Sequence, residues 1–249
     1  MAALAVGAVA FYFTQAALRR SIARNQIELA RQTMSKIDRL LYERYVDIQA
    51  IAGADPLEDY LVTAELEARG PAEFSKRKAS GELNELSYFT GPWDTLYVAD
   101  KNGIVQISIN EEHLGGMAGA EPYNLEAFDA SVTGEVYYSD AVLSKESGRP
   151  TIIFSAPIRN NRLPKKPVIG VVIGNFSWPA IVPPLEEVSA HAVLLDREGN
   201  ALVGNRKYAS RKISFKERGD KMLAGELARG GRQDRSSFRP AGDFFPQNR

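Results

Sequence analysis

The chain has 249 residues, 44% of them apolar, enough to bury one large core or two small ones, so a disordered chain is not the starting expectation. Lys plus Arg and Asp plus Glu are equal at 31 each, with no basic cluster among them, and nothing in this balance draws the chain to nucleic acid. There are no cysteines and only two histidines, His113 and His191, which removes thiolate catalysis and disulfides and leaves little for a histidine metal site or a catalytic triad.

From Ala2 to Leu18 no side chain is ionised, and Tyr12, Thr14 and Gln15 are the only polar interruptions. That is about the shortest apolar helix able to span a bilayer, and it predicts a transmembrane helix over residues 1–18. A signal peptide is the rival reading, but it needs a basic beginning that Met1 to Gly7 lacks. Arg19, Arg20 and Arg24 follow at once, and short basic flanks ordinarily stay in the cytoplasm, which runs against placing the rest of the chain outside.

A stalk helix is expected over residues 19–56. Between Ser21 and Ala52 there is no proline or glycine, and Ile27, Ala30, Met34, Ile37, Leu41, Ile48 and Ile51 recur in steps of three and four, with one lapse at Arg44. Gly53 and Pro56 end the run. Such a stripe serves either as the seam of a parallel homodimer or as a face packed on the chain's own sheet. The seam suits the membrane end of the stalk and the packed face suits the end near Ile51.

A polar helical stretch follows from Leu57 to about Ser87, and then short apolar runs separated by turns. Leu96 to Ala99 and Ile104 to Ser108 flank Asp100-Lys101-Asn102-Gly103, a hairpin whose Asn and Gly tolerate positive φ. The arrangement returns at Ala192 to Leu195 and Asn200 to Val203 around Asp196-Arg197-Glu198-Gly199, with Asp100 and Asp196 placed 96 positions apart. Between the hairpins lie a helix near Tyr123 to Val132, a strand near Val136 to Tyr138, and an antiparallel pair, Thr151 to Ile158 and Pro167 to Phe176. The order predicts an α+β fold, with a long N-terminal helix packed on antiparallel sheets in two tandem lobes. The expected lobes are residues 57–185 and 186–249, the second incomplete, with a helix near Phe215 to Ala228.

These segments resemble the double Cache, PAS-like sensor family of bacterial chemoreceptors, sensor histidine kinases and membrane-bound cyclases. The resemblance rests on Asp100-Lys101-Asn102-Gly103, Tyr123-Asn124-Leu125-Glu126-Ala127-Phe128, Tyr138-Ser139-Asp140, Gly148-Arg149-Pro150, Ser155-Ala156-Pro157-Ile158 and Gly170-Val171-Val172-Ile173. It implies a membrane-distal lobe (57–185) that binds a small organic molecule, a membrane-proximal lobe (186–249), an output domain in the cytoplasm, and a sensor facing the periplasm or exterior from the cell inner membrane. Family members that bind amino acids carry Arg-x-Trp-Tyr for the carboxylate, then Tyr-x-Asp and a further Asp for the ammonium. Here Tyr138 and Asp140 match the Tyr-x-Asp, Leu125-Glu126-Ala127-Phe128 lacks the Arg and Trp, and Asn175 stands where the last Asp is expected. A carboxylate ligand would therefore lose its bidentate guanidinium partner.

Candidate ligand-binding residues are Tyr123, Phe128, Tyr138, Asp140, Phe154 and Asn175, because small-ligand pockets are built from aromatic walls and a few convergent polar groups. The same aromatics could equally be core. No nucleophile stands with an identifiable base, and His113 lies in Glu111-Glu112-His113 without a second histidine at helical spacing, so catalytic residues, cofactors and metals are not expected.

Overall fold

The structure, a computed structural model, describes residues 2–65, 69–120, 122–144, 148–195 and 201–205, without the side chains of residues 2–10, 69–72, 122, 123 and 178. The helix expected near Phe215 to Ala228 lies outside the described residues, as does the turn 196–200 of the second hairpin. Helix α1 runs unbroken from Ala2 to Ala52 and stops where the glycine permits, the Gly53 amide donating to the Gln49 carbonyl at 3.0 Å. Among the described residues no helix is long and apolar enough to cross a membrane. The side chains of residues 2–10, which supply much of the apolar character of the span expected over 1–18, are outside that description.

Helices α2 (Asp55–Glu65) and α3 (Arg69–Thr90) follow, then strands β1 (Trp93–Asp100) and β2 (Val105–Ser108), and helix α4 (Pro122–Val132). Strands β3 (Tyr137–Tyr138), β4 (Val142–Leu143), β5 (Pro150–Arg159) and β6 (Val168–Ser177) lead to a short helix α5 (Val182–Glu186) and the hairpin of β7 (Val193–Leu195) and β8 (Ala201–Gly204). The main sheet is antiparallel throughout, in the order β2-β1-β6-β5-β3, with β4 also paired to β5. This is the α+β arrangement expected from the order of the apolar runs. The segment from Trp178 to Glu186, a 3-10 turn leading into α5, has no counterpart in the sequence reading, because its two prolines and its shortness hide any period.

Contacts divide the chain into two compact units. The larger comprises Leu40–Val182 with Leu195–Leu202. Its sheet has two differently furnished faces, since neighbouring residues of a strand point to opposite sides. One face carries Tyr97, Ala99, Val105, Ile153, Val171 and Ile173 and is covered by α4 through Ala127 and Phe128. The other carries Trp93, Phe154 and Phe176, whose rings meet edge to face with centroids 6.0–6.4 Å apart. Two glycines of β6 make room on that face. A Cβ on Gly174 would lie 2.8 Å from the Trp93 ring, and one on Gly170 would lie 2.6 Å from both the Leu61 side chain and the Ala99 carbonyl.

Arg44, the lapse in the apolar stripe, turns inward in this unit. Its guanidinium lies over the Phe176 ring, donates to the Gly91 carbonyl and pairs with Asp47 at 2.8 Å. Helix α2 is tied to the β5–β6 loop by the buried Glu58 carboxylate, which accepts from the Asn161 amide at 2.9 Å and from its Nδ2 at 3.0 Å.

The smaller unit contains Met1–Arg39, Pro183–Leu194 and Val203–Arg249. Among its described residues Ile37, Leu185 and Val188 are buried and apolar, and Lys36 pairs with Glu187. Asn205 is wholly buried, its Nδ2 donating to the carbonyls of Leu185, Val188 and Ala190 and its Oδ1 accepting from the Ala192 amide. These bonds satisfy a turn that would otherwise bury bare carbonyls.

Candidate functional site

The face of the sheet beneath α4 is apolar at its centre and polar at one end. On β6 the alternation Val171, Ile173, Asn175 keeps Asn175 on the α4 side, and Thr95 of β1 lies directly across from it. Ile153 of β5 is its partner on the other flank. On α4, steps of three and four carry Asn124, Ala127, Phe128 and Ser131 along the sheet-facing stripe, while Leu125, Glu126 and Asp129 are exposed.

Most polar groups here are satisfied. Ser131 and Ser155 share a hydrogen bond at 2.8 Å, Ser155 Oγ also donates to the Ala127 carbonyl, and Thr151 Oγ1 donates to the Phe176 carbonyl. The Tyr97 hydroxyl donates to the Ala118 carbonyl. Three buried atoms of this region have no hydrogen-bond partner: Thr95 Oγ1, Asn124 Oδ1 and Asn175 Oδ1. A buried polar atom left unpaired costs roughly 1–3 kcal/mol, which makes these three the unsatisfied atoms of this face.

Open clefts also lie elsewhere among the described residues. One of about 350 Å³ is lined by Gln49, Gly134, Pro157, Arg159 and Asn161 in the larger unit, and one of about 360 Å³ by Leu29, Met34, Leu185, Val188 and Val193 in the smaller. Among the described residues, neither is lined by a buried polar side-chain atom lacking a partner, unlike the α4 face.

The six residues predicted from sequence do not converge on that face. Asn175 is on it, buried, and Phe128 packs against its apolar core from α4. Tyr123 belongs to α4, but its side chain lies outside the described residues. Phe154 sits on the opposite face within the aromatic cluster, only 1% exposed. Tyr138 is the cross-strand partner of Phe154 and shares its side of the sheet, where its ring meets Tyr45 of α1 at 6.1 Å. The tyrosine on the α4 face is Tyr137, the partner of Ser155, whose hydroxyl donates to Glu126 at 3.1 Å. Burial and that hydrogen bond push the Tyr137 phenol up to about 12. Asp140 is exposed just beyond β3, and its carbonyl accepts from Ser139 Oγ. His113 lies in a 3-10 turn with its ring 6.0 Å from that of Tyr97. Among the described residues no group of three acidic or histidine side chains could hold a metal ion.

Thr95 and Asn124 were missed, although both carried a signal. Thr95 stands two residues before Tyr97 and four before Ala99, on one side of the strand, and Asn124 stands three and four residues before Ala127 and Phe128 on one side of the helix. Period, rather than residue type, identifies them.

No protein-family model matches the chain, and no curated protein matches it. Solved structures do match. The sensor domain of the V. cholerae histidine kinase DctB superposes with a TM-score of 0.59 at 16% identity, over 74% of this chain and 67% of that one. The sensory domain of the Campylobacter jejuni chemoreceptor Tlp3 with isoleucine bound gives 0.61 at 15% identity, over 84% and 82%. The ligand-binding domain of the Pseudomonas fluorescens chemoreceptor CtaA in complex with L-serine gives 0.52 at 15% identity, over 80% and 79%. At such identities the likeness is one of fold, and the fold is the one expected from the double Cache resemblance.

Proposed function

We propose that the chain is the extracytoplasmic sensing region of a bacterial transmembrane receptor, which binds a small organic molecule under α4 and passes the change along its stalk helix. The observation that carries this reading is the set of three unpartnered buried atoms on Thr95, Asn124 and Asn175, in a fold shared with ligand-binding sensor domains. Binding is its whole activity, with no catalytic step. The apolar run from Ala2 to Leu18 supports an anchor in the inner membrane, with the sensor in the periplasm or exterior. The output is chemotaxis, phosphotransfer or nucleotide cyclisation, and a histidine kinase and a chemoreceptor stand among the structural neighbours.

A route from site to stalk is built into β6. Asn175 faces the proposed ligand, while its neighbour Phe176 faces the other way and lies under the Arg44 guanidinium of α1. A ligand that binds one arrangement of β6 better than another shifts the position of Phe176 and with it the load on the helix. Along α1, Ile27, Met34, Tyr42 and Val46 are exposed, which suits a parallel homodimer.

The test is a thermal-shift screen of the full chain in detergent micelles. A ligand at a hundred times its Kd stabilises the native state by about 2.7 kcal/mol, which is readily seen as a higher Tm. Hits that vanish in Asn175→Leu support the reading. Silence across a broad panel, with dimerisation intact by sedimentation and abolished in Met34→Lys, would replace it by a membrane-anchored dimerisation module without a ligand.

A further inference from the structure

Resting on the sensing role just proposed, we infer that the α4 face takes a small uncharged molecule rich in hydrogen-bond donors, of the amide or nucleobase kind, held by Thr95, Asn124 and Asn175. Two of the three unpartnered atoms are amide carbonyl oxygens, which only accept, and the third is a hydroxyl that donates or accepts. A ligand meeting them must therefore bring N–H or O–H groups. It must also do without a charge partner. Among the described residues Glu58 is buried and Arg44 nearly so, but Glu58 is on α2, engaged with Asn161, and Arg44 lies over Phe176 on the opposite face of the sheet. Glu126 and Asp140 are exposed, and no described Arg or Lys is buried on the α4 face.

A carboxylate or zwitterion moved there would be stripped of water with no guanidinium or ammonium to replace it, a cost of several kcal/mol per ion. A neutral amide gives up only bonds that Thr95, Asn124 and Asn175 restore. The hydroxyl of Tyr97 is occupied by Ala118 and that of Tyr137 by Glu126, which leaves the three unpartnered atoms to set orientation.

The experiment is calorimetry and thermal shift on the full chain in micelles, with nicotinamide, uracil and adenine as neutral probes and L-isoleucine, L-serine, acetate and ethylamine as charged ones. A neutral probe should bind, and its Kd should weaken by about tenfold or more in Thr95→Val, which keeps the shape of the side chain and removes only the hydroxyl. Asn175→Leu should do the same. Asn175→Asp should lose the neutral probe and gain affinity for ethylamine, a reversal that a change in folding could not produce. Binding of an amino acid or acetate that depends on Asn175 would overturn the ligand class and leave the sensing site standing. A neutral probe whose Kd is unmoved in both Thr95→Val and Asn175→Leu would overturn the assignment of the face. Silence across the panel, with both variants raising the Tm, would overturn the class and the sensing role together, since those groups would then be strained packing.

Discussion

Replacing Arg44 by Met should destabilise the Leu40–Val182 unit by about 2–3 kcal/mol. The Arg44 side chain is only 12% exposed, donates to the Gly91 carbonyl, pairs with Asp47 and stands 5.8 Å above the Phe176 ring. A hydrogen bond from a charged donor is worth roughly 1.5–3 kcal/mol and a cation over an aromatic ring roughly 0.5–1 kcal/mol, while relief of the guanidinium's desolvation returns part of the sum. Met keeps the apolar stem against Phe176, so the loss isolates the charged head. Asp47 sharpens the test. Burial raises its carboxyl above the ordinary value of 3.8 despite the nearby arginine. A carboxyl raised on folding contributes stability that is present below its unfolded pKa and lost as pH rises through the folded one. At neutral pH the ionised Asp47 is therefore a burden, and Asp47→Asn should leave stability unchanged or slightly higher. Urea unfolding followed by far-ultraviolet circular dichroism gives both numbers. An Arg44→Met variant within about 0.5 kcal/mol of the parent at unchanged m-value, or an Asp47→Asn variant as damaged as Arg44→Met, would refute the reasoning.

Gly174→Ala should cost about 1–3 kcal/mol in the same assay, because its Cβ would meet two Trp93 ring carbons at 2.8 and 2.9 Å and Leu96 at 3.0 Å. Unchanged stability would mean that the aromatic cluster can yield. Glu58→Gln should cost about 1–2 kcal/mol, since one of the two acceptors facing Asn161 becomes a donor facing a donor. Faster amide exchange confined to α2 and the 160–166 loop would locate that loss. The Tyr137 phenol, held up to about 12, supports the fold fully below pH 10 and loses that support between pH 10 and 12. Ultraviolet absorbance titration of Tyr137→Phe should lack the highest-pH tyrosine step of the parent, and an unaltered step would place that group elsewhere. At neutral pH the Tyr137→Phe change should cost under about 1 kcal/mol, because its partner Glu126 is exposed and regains water.

Much of this protein was determined by local patterns that need no partner in space. The absence of proline and glycine between Ser21 and Ala52 specifies one helix, and Gly53 its end. Turn residues bracket β1 and β2 and again β5 and β6, so the strands, the antiparallel pairing and the α+β class were legible before any coordinates. The lack of a charged partner for a carboxylate was legible, in the missing Arg and Trp near Phe128, as was Asn175 where an acid was expected.

Which side of the sheet each residue serves was not legible, because a strand repeats every two residues and a shift of one reverses every assignment. Tyr137 and Tyr138 are chemically identical neighbours, and only pairing with Ser155 and Phe154 on β5 sends the first under α4 and the second toward Tyr45. Arg44 reads as a defect in an apolar stripe until Gly91, brought beside it from 47 positions away, supplies the carbonyl that makes its burial tolerable. The same holds for Thr95, Asn124 and Asn175. Each is an ordinary polar residue in the chain, and only the fold, with α4 packed across β5 and β6, buries their side-chain oxygens without hydrogen-bond partners, which is what makes them candidates.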